Sequence, residues 1–582
     1  MEMETASKKT KMEKQPLMSS NNPTNPNPKG GIRTLPFIIA NEAFERVASF
    51  GLAPNMIFYL TREYNMETKS AANILMIWSA ASNLLPVAGA IAADTYLGRH
   101  RMIGFGSIAS LLGMILLWFT AIFPEARPSS CGQTSEICES ATTNQLMLLY
   151  ASFGLMSIGA GGIRASSAPF GADQLIKGDN NLNIAGVLQS YFGWYSVSIT
   201  VSYIVAVTCI VYIQDHFGWT VGFGIPVVLM LLSAISFFLA SSFYVKLNPD
   251  ANLLTGLAQV VVAAYKNRQM NVSSQATDEI YHQRDASNPV MPSENLRFLN
   301  KACIIRNPEQ DLTSDGKASD PWRLCTVDQV EDLKTMIRVI PICSTGIMVF
   351  VNVSQGSLGA LQAKTMDRHI TRNFEIPAGS LGLFMMLTLT LWIALYDRVI
   401  IPLASKIRGK PSHLSTKQRM SIGLIFSALS MALWAIAETM RRNLAIKQGF
   451  SDNPTGVVNM SVMWLLPHFI MDGLAEAFYI VAVNEFLYCE FPKTMSSMAV
   501  GLGGIAMSVA SLVASSILNA VDYVSKIGDQ ESWVSDNINK GHYDYYFWLL
   551  ASFGMANFVY CLSCIKAYGP CKKMVKGGLW SL

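Results

Sequence analysis

Twelve long apolar runs, six before and six after a polar stretch, constrain this chain more than any other feature. A helix of about 20 apolar residues crosses the roughly 30 Å hydrocarbon core of a bilayer. The runs lie near residues 35–60, 71–93, 102–123, 145–168, 190–212, 219–243, 335–357, 378–396, 419–439, 460–489, 497–520 and 546–566. The pattern predicts an all-α membrane protein with twelve transmembrane helices, since helices satisfy their own backbone groups in lipid.

The composition fits a surface that faces lipid. Hydrophobic residues make up 51% of the chain and charged residues 14%, against about 25% charged in soluble proteins, and the mean hydropathy is +0.30. The net charge of +4 comes without a dense basic patch, which excludes nucleic-acid binding. The ten cysteines lack metal-ligand spacing, so no metal site is predicted. Cys131 and Cys138 share one polar loop, and the sequence leaves open whether they pair.

The apolar runs divide the chain into five segments. We expect a disordered cytoplasmic tail at 1–34, a six-helix bundle at 35–243, a cytoplasmic linker at 244–333, a second six-helix bundle at 334–566 and a cytoplasmic tail at 567–582. The linker contains an amphipathic segment from Leu253 to Ala264, which we expect along the cytoplasmic membrane face. It has no phosphate-binding GxxxxGK[ST] loop, so we expect an ion gradient rather than ATP to supply the energy.

The distribution of lysine and arginine predicts the orientation in the membrane. Both tails are basic, and Arg99 and Arg101 lie in the loop after the second span, so both termini are expected in the cytoplasm. Two loops that this orientation places outside break the rule. Their basic residues are Lys364, Arg368 and Arg372 in one and Arg441, Arg442 and Lys447 in the other.

The loop after the second span combines an acid with basic residues. From Gly89 it reads Gly-x4-Asp94-x3-Gly-Arg99-x-Arg101, and Asp397 and Arg398 follow the eighth span in the same order. A carboxylate at a helix end beside arginines can form an ionic latch that opens and closes as two bundles rock. The alternative is that the arginines only anchor the loop in the cytoplasm. The first pattern resembles the signature loop of the major facilitator superfamily.

Three ionisable residues, Glu42, Glu45 and Arg46, lie inside the first apolar run. Spacings of three and four residues place their side chains on one helix face. Charge at this depth is costly and usually marks a substrate or proton pathway. Two neighbouring carboxylates and a guanidinium can bind a variable number of protons, so we expect this cluster to couple proton binding to anion binding. The alternative is a static ion network that locks helices together.

The sequence Glu42-x-x-Glu45-Arg46 resembles the ExxER motif of the proton-coupled oligopeptide transporters, and in particular their plant branch, the nitrate and peptide transporter family. Further similar stretches lie at 170–174, 194–195, 321–331 and 374–378. The resemblance extends from residue 31 to about 566. It implies a major facilitator superfamily fold of two six-helix bundles and a transporter that works by alternating access, without enzyme activity or a cofactor.

The resemblance also implies the function. The chain is expected to be a symporter of protons and a small anionic solute, either nitrate or an organic anion such as a plant hormone or glucosinolate. Two alternatives are a substrate sensor without significant flux and a proton-coupled carrier of di- and tripeptides. The expected location is the plasma membrane, with the vacuolar membrane as the alternative.

The family pattern assigns further roles to individual residues. Arg164 in the fourth span stands where many relatives have lysine, and Glu476 in the tenth matches a glutamate that faces this basic residue. The pair is expected to bind substrate and to form a salt bridge between the halves that breaks during gating, together with the latch of Asp94, Arg99 and Arg101. The aromatic side chains expected to line the cavity are Tyr59, Trp194 and Tyr195.

The seventh span departs from the family pattern. It has neither the acidic residue of many peptide carriers nor the histidine of a nitrate-binding relative, and Val353 stands at the histidine position. Asn352 and Gln355 can still bind substrate through hydrogen bonds, although amides on membrane helices also join helices to one another. His468, in the tenth span, is expected to be a packing residue.

Overall fold

The computed structural model is almost entirely helical. It describes residues 30–129, 140–178, 184–247, 253–269, 281–283, 291–313, 316–409, 414–491, 495–528 and 530–569. Cys131 and Cys138 lie outside these described residues, as does most of the basic N-terminal tail.

Six long helices form the N-terminal half. They are α1 (Leu35–Arg62), α2 (Thr68–Ala92), α3 (Arg99–Ile122), α4 (Thr143–Gly178), α5 (Ile184–Val205) and α6 (Val211–Leu239). The linker contributes α7 (Leu253–Lys266) and the short α8 (Pro308–Asp311). The C-terminal half consists of α9 (Val327–Ser344), α10 (Ile347–Val353), α11 (Gly356–Lys364), α12 (Gly382–Leu395), α13 (Ile401–Arg408), α14 (Thr416–Lys447), α15 (Leu466–Glu490), α16 (Ser496–Ser525) and α17 (Tyr543–Tyr568).

Four short strands lie at one end of the C-terminal half. Strand β1 (Met366–Asp367) pairs in parallel with β4 (Val458–Ser461), and β2 (His369–Thr371) forms a hairpin with β3 (Phe374–Glu375).

By length and apolar composition, nine helices in the described part of the chain can cross a membrane, or ten if one bent pair counts as a span. The bent pair is α9 with the helix from Ile347 to Lys364, which meet at 47°. Helix α1 has 28 residues but is not among these nine, because Glu42, Glu45 and Arg46 make it less apolar. The run Gly186–Ser242 holds 57 residues, and the non-helical backbone of Gly218 divides it into two spans. With these features taken into account, the helices give the predicted twelve spans.

Widened helical turns occupy equivalent positions in the two halves. Residues Ala93–Leu97 continue α2 as a π-helical turn, and Tyr396–Ile400 continue α12 in the same way. Asp94 lies in the first turn and Asp397 in the second. The repeat seen in the sequence therefore coincides with a repeat in backbone geometry, at the ends of the second and eighth spans.

Small residues allow close contact between α3 and α4. A Cβ atom added at Gly106 would lie 2.8 Å from the carbonyl oxygen of Gly159 and 3.0 Å from the Cα of Gly162. Membrane helices use glycine in this way because lipid provides no hydrophobic drive for association, so close van der Waals packing must replace it. This packing fixes the position of α4, which carries Arg164.

The two halves are held together at the end where α1 finishes and α2 begins. The Lys69 ammonium is 2.7 Å from Oδ2 of Asp522, and Asn73 donates a hydrogen bond of 2.8 Å to Asn519. Both contacts join α2 to α16. At the same end Asp215 is 3.5 Å from the cationic nitrogens of Lys364 and Arg368. The structure is therefore closed at this end, which the distribution of basic residues assigns to the outside of the membrane.

Three of the six basic residues that break the orientation rule form ion pairs with acids of the protein. Lys364 and Arg368 pair with Asp215, and Arg368 also contacts Glu375. Arg441 forms a buried ion pair with Glu438. Because their charges are neutralised locally, these residues give little information about which loop faces the cytoplasm.

The amphipathic linker helix α7 packs on protein. Leu257, Val260 and Ala263 are buried with Val330 of α9 and with Cys303 of the linker. Burial raises the pKa of the Cys303 thiol to about 12. The apolar face of α7 therefore packs on the linker and on α9, which begins the C-terminal half, and not on lipid as its amphipathic sequence predicts.

Candidate functional site

Glu42, Glu45 and Arg46 lie on one face of α1, as the spacing predicts. The Arg46 Nε atom donates a hydrogen bond of 2.9 Å to Oε1 of Glu42 and lies 4.0 Å from Oε2 of Glu45. Both glutamates are buried, with 1% and 0% of their side chains exposed, whereas Arg46 is 18% exposed. The acids are thus sealed inside the protein, and the cation that pairs with them remains within reach of solvent.

Arg164 of α4 pairs with Glu45 through two hydrogen bonds. Its Nη2 donates to Oε1 at 2.9 Å and its Nε to Oε2 at 3.2 Å. Ser49 also donates to Oε1, at 2.6 Å. Such bidentate pairing is the strongest form that a guanidinium and a carboxylate can adopt. Arg164 is 13% exposed and Glu45 is fully buried, so the exposed member of this pair is also the cation.

The four charged side chains form a balanced quartet, Glu42, Glu45, Arg46 and Arg164, which we call the charge cluster. With both acids ionised, two negative charges meet two positive ones. A proton bound by either glutamate removes one negative charge and leaves one guanidinium without a counter-ion. A buried unpaired charge costs several kcal/mol, so an anion that reaches this guanidinium restores the balance.

Aromatic rings connect the charge cluster to the other half of the protein. Arg46 and Arg164 lie 5.7 and 5.8 Å from the centroid of the Phe50 ring. Phe50 packs edge to face on Tyr203 of α5, with centroids 5.2 Å apart. The Tyr203 hydroxyl lies 3.1 Å from the position that a Cβ atom would take at Gly382 of α12, and Tyr203 is also near Glu476 of α15. The contacts thus run from α1 through α5 to α12 of the C-terminal half.

Glu476 is 6% exposed, and Arg164 pairs with Glu45 instead of with Glu476. The expected salt bridge between Arg164 and Glu476 is therefore not formed in this conformation. The reason is local: the carboxylate of Glu45 already occupies two of the guanidinium nitrogens.

Three of the predicted substrate ligands form hydrogen bonds inside the helix bundles. The Tyr59 hydroxyl bonds to Thr120 at 2.8 Å inside the N-terminal half, and no part of Tyr59 is exposed. Asn352 donates to Ser427 at 2.8 Å, and Gln355 accepts from Tyr546 at 3.0 Å. All three side chains are buried, and these hydrogen bonds join them to neighbouring helices. In this conformation Asn352 and Gln355 make the hydrogen bonds between helices that were the stated alternative, and the role of the three residues as substrate ligands stays a prediction.

The adjacent aromatic residues Trp194 and Tyr195 differ in their surroundings. Tyr195 is buried beside Glu42 and Arg46, which places it against the charge cluster. Trp194 is 70% exposed on the surface of α5. The expectation of a cavity wall therefore fits Tyr195, and nothing in its surroundings supports it for Trp194.

The predicted latch lies within the N-terminal half. Arg99 bridges two acids: its Nε is 3.1 Å from Asp94 and its Nη1 is 2.7 Å from Asp173 at the end of α4. Arg101 is exposed. In this conformation Arg99 ties the end of α2 to α4 inside the N-terminal half.

His468 is buried and stacks on Trp434 with ring centroids 4.3 Å apart, and its Nδ1 lies 2.7 Å from the Ser430 hydroxyl. This packing is the expected one.

The sequence reasoning missed the next acid along the same helix, Asp472, which is 4% exposed. Its signal was available, because an aspartate inside an apolar run and four residues before Glu476 must share the face of that glutamate. Within the described ranges no group of three or more His, Cys, Asp or Glu side chains is arranged to hold a metal.

Comparison with known proteins gives consistent results. The model of the POT family (PTR2) matches residues 100–534. Protein NRT1/PTR FAMILY 1.2 of Arabidopsis thaliana is 52% identical over 557 residues, which cover 94% of this chain and 91% of that relative. Protein NRT1/PTR FAMILY 1.1 of the same plant is 51% identical over 552 residues, which cover 94% and 93%. The crystal structure of an autoinhibited POT family peptide transporter superposes with a TM-score of 0.67 at 19% identity, covering 94% of this chain and 99% of that one.

Proposed function

The chain belongs to the POT family, in its plant NRT1/PTR branch, and from this premise we propose that this proton-coupled transporter carries an anionic solute. The solute is nitrate or an organic anion such as a plant hormone or glucosinolate. The protein is a multi-pass integral membrane transporter and not an enzyme. We place it in the plasma membrane, with the vacuolar membrane as the alternative.

One observation carries the proposal of an anionic solute: Arg164 and Arg46 are partly exposed, whereas the two glutamates that neutralise them are sealed in the protein. A solute that reaches the cluster therefore meets cationic groups first. The planar guanidinium of Arg164 offers two parallel N–H donors, a geometry that suits nitrate, sulfate and carboxylate.

The proton acts by changing partners within the charge cluster. When Glu45 binds a proton, its attraction for Arg164 falls, and the two hydrogen bonds of 2.9 and 3.2 Å lose their ionic character. Arg164 is then free to bind the anion. Proton and anion enter together because either one alone leaves an unbalanced buried charge. Glu42 and Arg46 provide a second pair of the same kind on the same helix face.

The number of protons per anion decides whether transport moves net positive charge into the cell. One elementary charge that moves across 100 mV releases about 2.3 kcal/mol. Two protons with one monovalent anion carry one net positive charge inward, so the membrane potential drives accumulation. The two pairs of the charge cluster supply two glutamates for this stoichiometry.

Gating requires the closed end to open. The contacts of Lys69 with Asp522 and of Asp215 with Arg368 must break for the outside to reach the charge cluster. We assign the salt bridge between Arg164 and Glu476 to another state of this cycle, in which protonated Glu45 has released Arg164. The latch of Asp94, Arg99 and Arg101 takes part on the cytoplasmic side.

The test is uptake by expressing cells against a panel of nitrate, gibberellin, abscisic acid, jasmonate, glucosinolate and dipeptide at acidic and neutral external pH. We expect uptake of an anion that increases at acidic pH. Glu42→Gln is expected to lose the pH dependence, and Arg164→Ala to lose uptake. Arg164→Lys keeps the charge without the bidentate geometry and is expected to retain a reduced rate.

Arg127→Gln is the matched control. Arg127 also pairs with a glutamate, Glu63, which follows the last residue of α1, and this pair of 2.5 Å lies away from the charge cluster. This variant is expected to transport as the wild type does. Uptake of the dipeptide alone favours the peptide carrier, and binding without uptake favours the sensor. Wild-type rate and pH dependence in Glu42→Gln would contradict the coupling role of the charge cluster.

A further inference from the structure

Helix α15 carries three titratable side chains in a column. His468, Asp472 and Glu476 follow one another at intervals of four residues, so they lie on one face of the helix. All three are buried, with 4%, 4% and 6% of their surface exposed. The charge cluster of α1 and α4 does not include them, and the proposed function uses only Glu476, as a gating partner.

Among the residues that the structure describes, Asp472 has no cationic partner. Its Oδ1 atom has no hydrogen-bond partner among the described residues. The arginine expected to neutralise Glu476 is bound to Glu45. Two ionised carboxylates one helical turn apart repel each other, and each also loses several kcal/mol of hydration on burial. At least one proton must therefore reside on this pair.

The helices around Asp472 supply no compensating charge. From α14, Ser430 lies next to Asp472 and bonds to Nδ1 of His468 at 2.7 Å. From α5, Tyr203 lies near Glu476. From α9, Cys343 lies near Tyr479, one turn further along α15. Helices α10 and α12 carry no ionisable side chain, and α16 carries none before Asp522.

The backbone leaves little room for water to solvate the acid. A Cβ atom added at Gly473 would lie 2.9 Å from Cβ of Thr388 and also collide with the carbonyl oxygen of Met385. Helix α12 therefore packs directly on α15 beside Asp472. An unpaired carboxylate in such a contact is stable only when it is neutral.

We propose that Asp472 is a second proton-carrying site of this transporter, located in the C-terminal half, and that it passes its proton to Glu476. In this step the O–H bond of the Asp472 carboxylic acid breaks, an O–H bond forms on the Glu476 carboxylate, and Asp472 is left ionised. His468 lies one turn nearer the closed end of the molecule, and Ser430 contacts both His468 and Asp472, so these two are the groups through which Asp472 takes up a new proton. The coupling of this site to transport rests on the proposed function.

The presence of the proton can be tested without any substrate. Infrared difference spectra of the purified full-length protein, recorded between neutral and alkaline buffer, show the C=O stretch of a protonated buried acid. We expect one such band in the wild type to vanish in Asp472→Asn and to shift in Asp472→Glu. The control is Asp522→Asn, because Asp522 is equally buried but paired with Lys69, so it is already ionised.

The outcomes separate the two proposals. The assignment to Asp472 is overturned if the band persists in Asp472→Asn or disappears only in Glu476→Gln. It is also overturned if the wild type shows no such band. If Asp472→Asn fails to fold, the frequency shift in Asp472→Glu decides. In transport assays we expect Asp472→Asn to carry one proton fewer per anion than the wild type. A wild type that shows the band but transports no anion contradicts the proposed function and leaves the proton site intact.

Discussion

The ion pair of Glu438 and Arg441 on α14 allows a quantitative prediction. Neither side chain is exposed, and the Arg441 guanidinium donates two hydrogen bonds of 2.8 Å to the carboxylate. It also bonds to Thr365 at 3.1 Å and to Asn539 at 2.7 Å. Arg441 thus joins the end of α11, helix α14 and the segment between α16 and α17.

We predict that Arg441→Met destabilises the protein by about 3–5 kcal/mol, because it leaves the Glu438 carboxylate buried without its partner. The additional substitution Glu438→Gln removes this unpaired charge and is expected to recover at least half of the loss. Arg442→Met is the matched control. Its guanidinium donates to the carbonyl oxygen of Gly541 at 2.8 Å and has no carboxylate partner, so we expect a loss of about 1 kcal/mol.

The assay is thermal unfolding of the purified protein in one detergent, followed by tryptophan fluorescence, with denaturant titration for the free energy. A loss below about 1 kcal/mol in Arg441→Met contradicts the argument from buried charge. The argument is also contradicted if Arg441→Met with Glu438→Gln is no more stable than Arg441→Met alone. The loss of stability would then come from lost packing and not from the unpaired carboxylate.

Further predictions concern packing and gating. Gly106→Ala is expected to reduce thermal stability, since its Cβ would press on the backbone of α4, whereas Gly154→Ala, with open space around its Cβ, is expected to have no such effect. Lys69→Gln removes an ion pair of 2.7 Å between the two halves. We expect a cysteine placed at Asn73 to react with a maleimide severalfold faster in this variant than with Lys69 present. An unchanged rate contradicts a role of Lys69 in keeping this end closed. Tyr59→Phe is expected to lose about 1 kcal/mol of stability with an unchanged KM, and a raised KM places Tyr59 at the substrate after all.

The sequence was sufficient for the spans and for the three charge-cluster residues on α1. Apolar runs of sufficient length predict membrane helices because the bilayer fixes their length, and helical spacing alone places Glu42 beside Arg46. The partner of Glu45 was not predicted. Arg164 was expected opposite Glu476, because sequence spacing gives no information about which of two acids on different helices is nearer.

The roles of polar residues inside the spans were predicted less well. Tyr59, Asn352 and Gln355 all turn toward neighbouring helices. A polar side chain in an apolar run needs a hydrogen-bond partner, and both a substrate and a neighbouring helix can provide one. Only the arrangement of the helices decides between them. Asp472 is the opposite case, because its spacing from Glu476 was visible in the sequence and its lack of a partner was not.

The central claim is that protons drive an anion inward through the charge cluster. It is tested most directly by the current across the membrane of a voltage-clamped expressing cell when the transported anion is added at acidic external pH. The account predicts an inward current, since two protons accompany each monovalent anion, and predicts that Glu42→Gln abolishes it. An outward current, no current during measured uptake, or a current unchanged in Glu42→Gln would contradict it.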